Sequence, residues 1–308
     1  MGDTKRQHYV PQSYLKKFSF DGKRLHTFLK RKDSPKIITE NNKSNYLKDV
    51  STADVCVKKD FYSIDKTNPN NTSQLDKLAL EKEFFQDYAE PKLVSVINTF
   101  EALAQKILDN NSTIADFHLT DELKKDLALS TYIQYYRTPR QRRNLDEINN
   151  IIKCSKKLSL IENGQNSNVV KGFDVAYTHA NKTFLNPYLL RMFYQKVSSY
   201  CLLLRVSPNG NFFTSDNPVV IYKLGVKGKK SLDVNFYKDE FCIFFPLTHN
   251  LMLEYYCPYA FPDAIPLNNS ISVVDKQYEN QVNKYQYINA EKYVFSYKND
   301  FSLFLIPQ

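Results

Sequence analysis

Leu93, Val96, Ile97, Phe100, Leu103 and Ile107 recur at three- and four-residue steps, the spacing of one buried helix face. That stripe obliges the middle of the chain to press an amphipathic helix onto a core. Residues 75–89 form a further helical segment before it, which Pro91 kinks or restarts, because proline suits a first helical turn and breaks an interior. A second helix opens near Thr120, with Asp121 and Glu122 in the first turn where the macrodipole favours acids, and runs to about Arg137 ahead of Pro139. A third covers residues 140–157.

The two ends read differently. Pro11 can start a short helix over residues 11–18, and Asp21-Gly22 is a turn signal between 18–20 and 24–29, which together predict a hairpin. Residues 68–73, Asn-Pro-Asn-Asn-Thr-Ser, are a loop by composition. Residues 200–206 predict a strand, Ser207-Pro208-Asn209-Gly210 a tight turn, and 211–214 the returning strand. Further strands fall at 219–222, 241–245, 251–256 and 293–296, with one late helix at 275–290. The expected class is α+β and not doubly wound: a mixed N-terminal part (1–66), a central helical layer (74–197) and a mostly antiparallel, sheet-rich C-terminal part (198–308).

Several function classes fall away by absence. Seven glycines in 308 residues leave no Walker A loop and no dinucleotide fingerprint, and neither a Gly-x-Ser-x-Gly elbow nor a His-Glu-x-x-His motif occurs. No stretch approaches about 20 apolar residues, and the polar start fits neither a secretory nor a myristoylation signal, so the expectation is a soluble cytoplasmic protein away from the membrane. Five widely spaced cysteines without a Cys-x-x-Cys argue against a disulfide framework or zinc knuckle. The net charge of +9 favours a polyanionic partner such as nucleic acid, unless the lysines are simply spread over the surface.

Four polar places stand out, each with a structural reading beside the chemical one. His8 precedes a proline-initiated helix, so its imidazole is a base or metal ligand, or only packs at the helix entry. Glu81, Glu83 and Glu90 form a carboxylate site or a solvated helix face; Glu83 and Glu90, seven apart, would share one side of a continuous helix. Gln134 and Arg137 share a helical face, and Arg137, Arg140, Arg142 and Arg143 with three tyrosines suit phosphate and base contacts, or merely cap a helix. Asp216-Asn217-Pro218 is a strand-end loop that carries function or an Asx turn.

In order along the chain, His8-x-Val10-Pro11-x-x-Tyr14-Leu15-x-x-Phe18, Gln134-x-x-Arg137-Thr138-Pro139 and Thr214-Ser215-Asp216-Asn217-Pro218-Val219 resemble the bacterial domain-of-unknown-function 4238 family. Val282-Asn283 and Val294-Phe295-Ser296 resemble its C-terminal helix and strand. The resemblance implies one conserved unit over residues 1–308, marks His8, Pro11, Tyr14, Glu81, Glu90, Gln134, Arg137, Asp216, Asn217 and Asn283, and carries an association of some members with antiphage defence. It supplies no reaction.

Two functions are therefore expected in competition. In the first, the chain is a metal-assisted nuclease: Asp216 with Glu81 or Glu90 holds Mg²⁺ or Mn²⁺, since hard oxygens suit hard cations. His8 moves the proton, Arg137 stabilises phosphoryl charge, and Gln134, Asn217, Arg140, Arg142 and Arg143 hold the nucleic acid. In the second, the chain is a sensor or partner-binding protein, and Asp216, Asn217, Gln134 and Arg137 form a structural network.

Overall fold

The computed structural model describes residues 6–30, 46–64, 76–163, 174–223 and 240–304. The loop expected at 68–73, and with it the border between the first two parts, lies outside the described residues. The fold is α+β, as the sequence pattern predicts.

Strand β1 (Arg6–His8) enters a helical turn α1 (Gln12–Leu15), which Pro11 precedes, and continues as a 3₁₀ turn Lys16–Phe18. Strands β2 (Arg24–Leu29), β3 (Leu47–Ser51) and β4 (Val57–Lys59) follow. The helical layer begins with a π-helix, Leu80–Ala89, which runs into α2 (Glu90–Asp109) with Pro91 in its first turn. After β5 (Ile114–Asp116) come α3 (Asp121–Tyr136) and α4 (Pro139–Glu162). The Thr120 hydroxyl caps α3 by accepting from Leu123 N at 3.2 Å, which fixes the helix start where the sequence places it. A short α5 (Val175–Tyr177), a second π-helix Thr178–Phe184 and α6 (Pro187–Val197) complete the layer.

The C-terminal part holds β6 (Cys201–Val206), β7 (Thr214–Ser215), β8 (Val220–Lys223), β9 (Phe241–Thr248), β10 (Leu251–Tyr256), β11 (Ser270–Val273), α7 (Lys276–Asn289) and β12 (Tyr293–Ser296). A six-stranded sheet has the order β5-β11-β6-β10-β9-β8, antiparallel except where β11 runs parallel to β6. Alternation along β9 sends Phe241, Ile243, Phe245 and Leu247 into the main core with the helical layer, while Cys242 and Phe244 face Val282 of α7. Both faces of this sheet are thus covered, which is why its strands read as continuous apolar runs.

Both expected hairpins are corrected. Residues 18–20 form no strand, because Lys16–Phe18 continues the helical turn; β2 pairs instead with β3 and β12. The segment after β6 does not fold back on it either. Gly210 turns the chain with φ +65°, in a spot where a Cβ would meet His249 at 2.6 Å. Residues beyond it leave for a four-stranded sheet of order β3-β2-β12-β7. That sheet joins the first and last parts of the chain.

What draws this segment away is a polar ladder on α7. Glu279 accepts from the Ser207 hydroxyl and Asn211 Nδ2, and Asn283 takes Phe213 N while donating to Asn211 O. Gln286 accepts from the Ser215 hydroxyl and donates to Pro218 O, and Asn289 donates to Asn217 O and Val219 O. These four side chains, three or four residues apart and all buried, supply the hydrogen bonds that a neighbouring strand would have given. The end of α7 is clamped from both signs. Lys30 Nζ donates to Tyr287 O, Ile288 O and Ala290 O, and Asp216 accepts from Glu291 N, Lys292 N and Tyr293 N at 2.9, 2.8 and 3.2 Å.

Asp216→Ala would orphan three backbone donors at once, so it should cost about 3 kcal/mol. A urea midpoint that moves down at unchanged slope bears this out; an unmoved midpoint contradicts it.

Candidate active site

Arg137 ends α3, only 1% exposed, and the surrounding elements converge on its guanidinium. Nη2 lies 2.8 Å from Glu90 Oε1, an ion pair. The guanidinium stacks over Phe85 at 4.1 Å and reaches the Tyr62 ring at 5.8 Å. The Tyr62 hydroxyl in turn donates to Arg137 O, and Gln7 Oε1 accepts from Tyr62 N at 2.6 Å. Nε of Arg137 has no hydrogen-bond partner.

The π-helix makes this meeting possible. Glu81 and Glu90 are nine apart, roughly two and a half turns of an α-helix, which would put them on opposite sides. The wider i→i+5 wind returns to the same side after roughly nine residues. Glu81, Phe85 and Glu90 therefore all bear on Arg137, while Glu83, the spacing-based partner of Glu90, is exposed.

Burial raises the Glu81 carboxyl to about 7; the Arg137 charge opposes this and Glu90 adds to it. His8 is held below the ordinary imidazole value, first by burial and further by Arg137, against a hydrogen bond to the Thr52 backbone and the Glu90 charge. At neutral pH the site thus holds a neutral imidazole and a carboxyl that keeps its proton for much of the time. Burial also acts on Arg137, but Glu90, Tyr62 and Glu81 outweigh it and keep the guanidinium firmly charged.

Unpaired polar atoms gather here. Among the described residues eleven buried side-chain nitrogens and oxygens lack a hydrogen-bond partner, and seven sit on Gln7, His8, Ser13, Glu81, Ser130 and Arg137. Such atoms cost stability unless a water or ligand serves them, so their concentration marks a site. A groove of about 730 Å³ lies alongside, lined by Ser13, Gln86, Glu90, Pro91, Val94, Ser95, Asn98 and Thr99. Glu90 also lines a pocket of about 10 Å³ that reaches Arg137, Gln134 and Ser130, room for one water.

The sequence-derived residues divide. His8, Glu81, Glu90 and Arg137 come together. Gln134 is buried near them and donates to Tyr9 O at 3.3 Å. Asp216 does not join: its oxygens are spent on the α7–β12 corner, where burial lifts it to about 6 against its backbone donors, Lys30 and Arg140. Asn217 exchanges bonds with Asn289. The carboxylates expected to share Mg²⁺ or Mn²⁺ are therefore split between two places, and no three His, Cys, Asp or Glu side chains group around a metal position among the described residues.

The arginine cluster also divides. Arg140 donates to Asn289, Arg142 to His179 Nδ1 and Phe61 O, and Arg143 pairs with Glu291. The Arg142 bond fixes His179 as the tautomer that donates from Nε2 to Tyr136 O, and burial with the Arg142 charge drives that imidazole down to about 3. Ser13, Ser130, Tyr62 and Phe85 were not singled out by sequence. Ser13 lies inside the His8–Phe18 motif and was within reach, whereas the π-wind that brings Phe85 round leaves no periodic signature.

A family model described as "Protein of unknown function (DUF4238)" matches residues 6–300. No curated protein and no solved structure matches the chain. No helix among the described residues is long and apolar enough to cross a membrane.

Because Glu81 titrates near 7 when folded and near 4.5 when unfolded, its contribution to stability is complete below about pH 4.5 and lost as the pH rises through 7. Against Glu81→Gln, the wild-type melting temperature should fall between about pH 5 and 8. A pH-independent difference between the two would contradict the buried carboxyl.

Proposed function

The chain belongs to the DUF4238 family of proteins of unknown function, and from the site it carries we propose that it is a nucleic-acid phosphodiesterase working by general acid–base chemistry. The observation that carries this reading is the convergence of His8, Glu81 and Arg137, each with a buried polar atom that has no hydrogen-bond partner, behind Glu90 and Ser13, which line an open groove.

The roles follow from charge and protonation. Neutral His8 Nε2 takes the proton of the attacking hydroxyl, and Glu81 returns its own proton to the leaving oxygen. Arg137 offers its unbonded Nε–H and its charge to the phosphoryl oxygens as charge develops on them, in a setting where little water competes. Glu90 keeps the guanidinium in place.

A cationic ribbon supports the choice of a polyanion. In the β1–β4 pair, Arg6 lies opposite Lys59 on the side of the ribbon that carries His8, and Lys58 stands opposite Gln7. Burial, then Arg143 and Arg142, hold Lys58 below its usual value, a crowding of like charges that phosphates would relieve. Destruction of nucleic acid inside the cell would also serve the antiphage role that the family resemblance suggests.

A second reading, a partner-binding protein, draws on α4, where Ile148, Ile151 and Leu158 are 48%, 68% and 61% exposed. Under that reading purified protein cleaves nothing.

His8→Ala and Glu81→Gln should each lower turnover of labelled nucleic acid by about 10²–10⁴, and Arg137→Lys by about 10²–10³. The variants should still melt cooperatively, and cleavage should persist in chelator. Absence of cleavage by the folded wild type, or variants as active as it, would overturn the proposal.

A further inference from the structure

The groove beside the site has a composition that the acid–base reading leaves unused. Ser13, Ser95 and Thr99 bring hydroxyls, Gln86 and Asn98 bring carboxamides, and Pro91 and Val94 form an apolar wall. Its one charged lining residue is a carboxylate, Glu90. A carboxylate repels phosphate, so the groove does not suit the charged backbone; Arg137 and the Arg6/Lys59 side of the ribbon do.

What a carboxylate among neutral donors and acceptors takes up is an O–H group. Glu90 is placed for this. Oε1 faces Arg137 at 2.8 Å, the side chain is 26% exposed, and the residue lines the groove. Ser13 Oγ, buried and unpartnered, opens on the same groove. One carboxylate thus links the cation that would hold a phosphate to the groove that would hold the adjoining sugar.

We propose that the strand cut here is RNA, with the ribose seated in the groove so that Glu90 and Ser13 recognise its hydroxyls and the 2′-oxygen attacks the adjacent phosphate. This rests on the phosphodiesterase reading. The 2′-hydroxyl is the group by which a protein tells RNA from DNA at a given position.

The step balances with the groups at the site. His8 Nε2 takes the 2′-O–H proton, the O2′–P bond forms and the P–O5′ bond breaks. Glu81 gives its proton to O5′. The products are a 2′,3′-cyclic phosphate and a free 5′-hydroxyl, with His8 left protonated and Glu81 ionised. Neither water nor a further co-reactant is consumed. Held apart by environment, one neutral imidazole and one protonated carboxyl are the pair that this transfer uses.

The test offers the wild-type protein three end-labelled strands of one sequence, in RNA, 2′-O-methyl RNA and DNA, in chelator, with products identified by mass. The expected result is cleavage of RNA about a hundredfold or more faster than of the other two, leaving 2′,3′-cyclic phosphate ends. Glu90→Gln, or Ser13→Ala should the first variant fold poorly, should raise KM for RNA more than it lowers kcat. Cleavage of DNA or 2′-O-methyl RNA at a rate close to that of RNA overturns the RNA assignment and leaves the phosphodiesterase standing. If the folded protein cleaves none of the three, both readings fail.

Discussion

A guanidinium cut off from water costs several kcal/mol unless the protein replaces its hydration, and Arg137 imposes that demand on everything around it. Glu90 supplies countercharge, Phe85 and Tyr62 supply ring faces, and the N-terminal segment closes the site with Gln7 and His8. The compensation is incomplete. Nε has no partner, and Glu81 is left with a buried, unsatisfied oxygen. A site made only for stability would have closed these bonds or replaced the cation with an apolar side chain.

The contrast with the α7 ladder sharpens the point. Glu279, Asn283, Gln286 and Asn289 are as buried as Arg137, yet each finds partners on the 207–219 segment. Asp216 and Lys30 do the same for the end of α7. One polar system is satisfied and holds the two ends of the chain in one sheet. The other is unsatisfied and opens on a groove. Satisfaction, more than polarity or burial, separates the α7 ladder from the Arg137 cluster.

Local pattern was readable where one physical signal dominates. The α2 stripe, the α3 start near Thr120, the late helix and the strands at 241–245 and 251–256 follow from local residue pattern alone. Partnership was not readable. A run such as Asn211–Thr214 looks like the return strand of a hairpin, but Phe213 N and Asn211 O bond to Asn283 of α7, some 70 residues onward, and Phe212 N to His249 O. His8, Glu81, Glu90 and Arg137 could be named from motif and residue type, yet Glu81 in place of Glu83 is decided by a π-wind that spacing rules for α-helices misplace. Asp216 looked catalytic for the reason that makes it structural: a carboxylate at a strand end, here aimed at three amides.

The central claim is that Arg137 shares one electrostatic field with His8 and Glu81, lowering both beside the larger effect of burial. Side-chain NMR titration of His8 and Glu81, in the wild type and in folded Arg137→Gln, tests it most directly. The guanidinium lowers both groups, so its removal should move both titrations upward, Glu81 from about 7 to a higher value and His8 back toward the ordinary imidazole range. Titrations unchanged by the substitution would contradict the account, because the three side chains would then share a location without sharing a field.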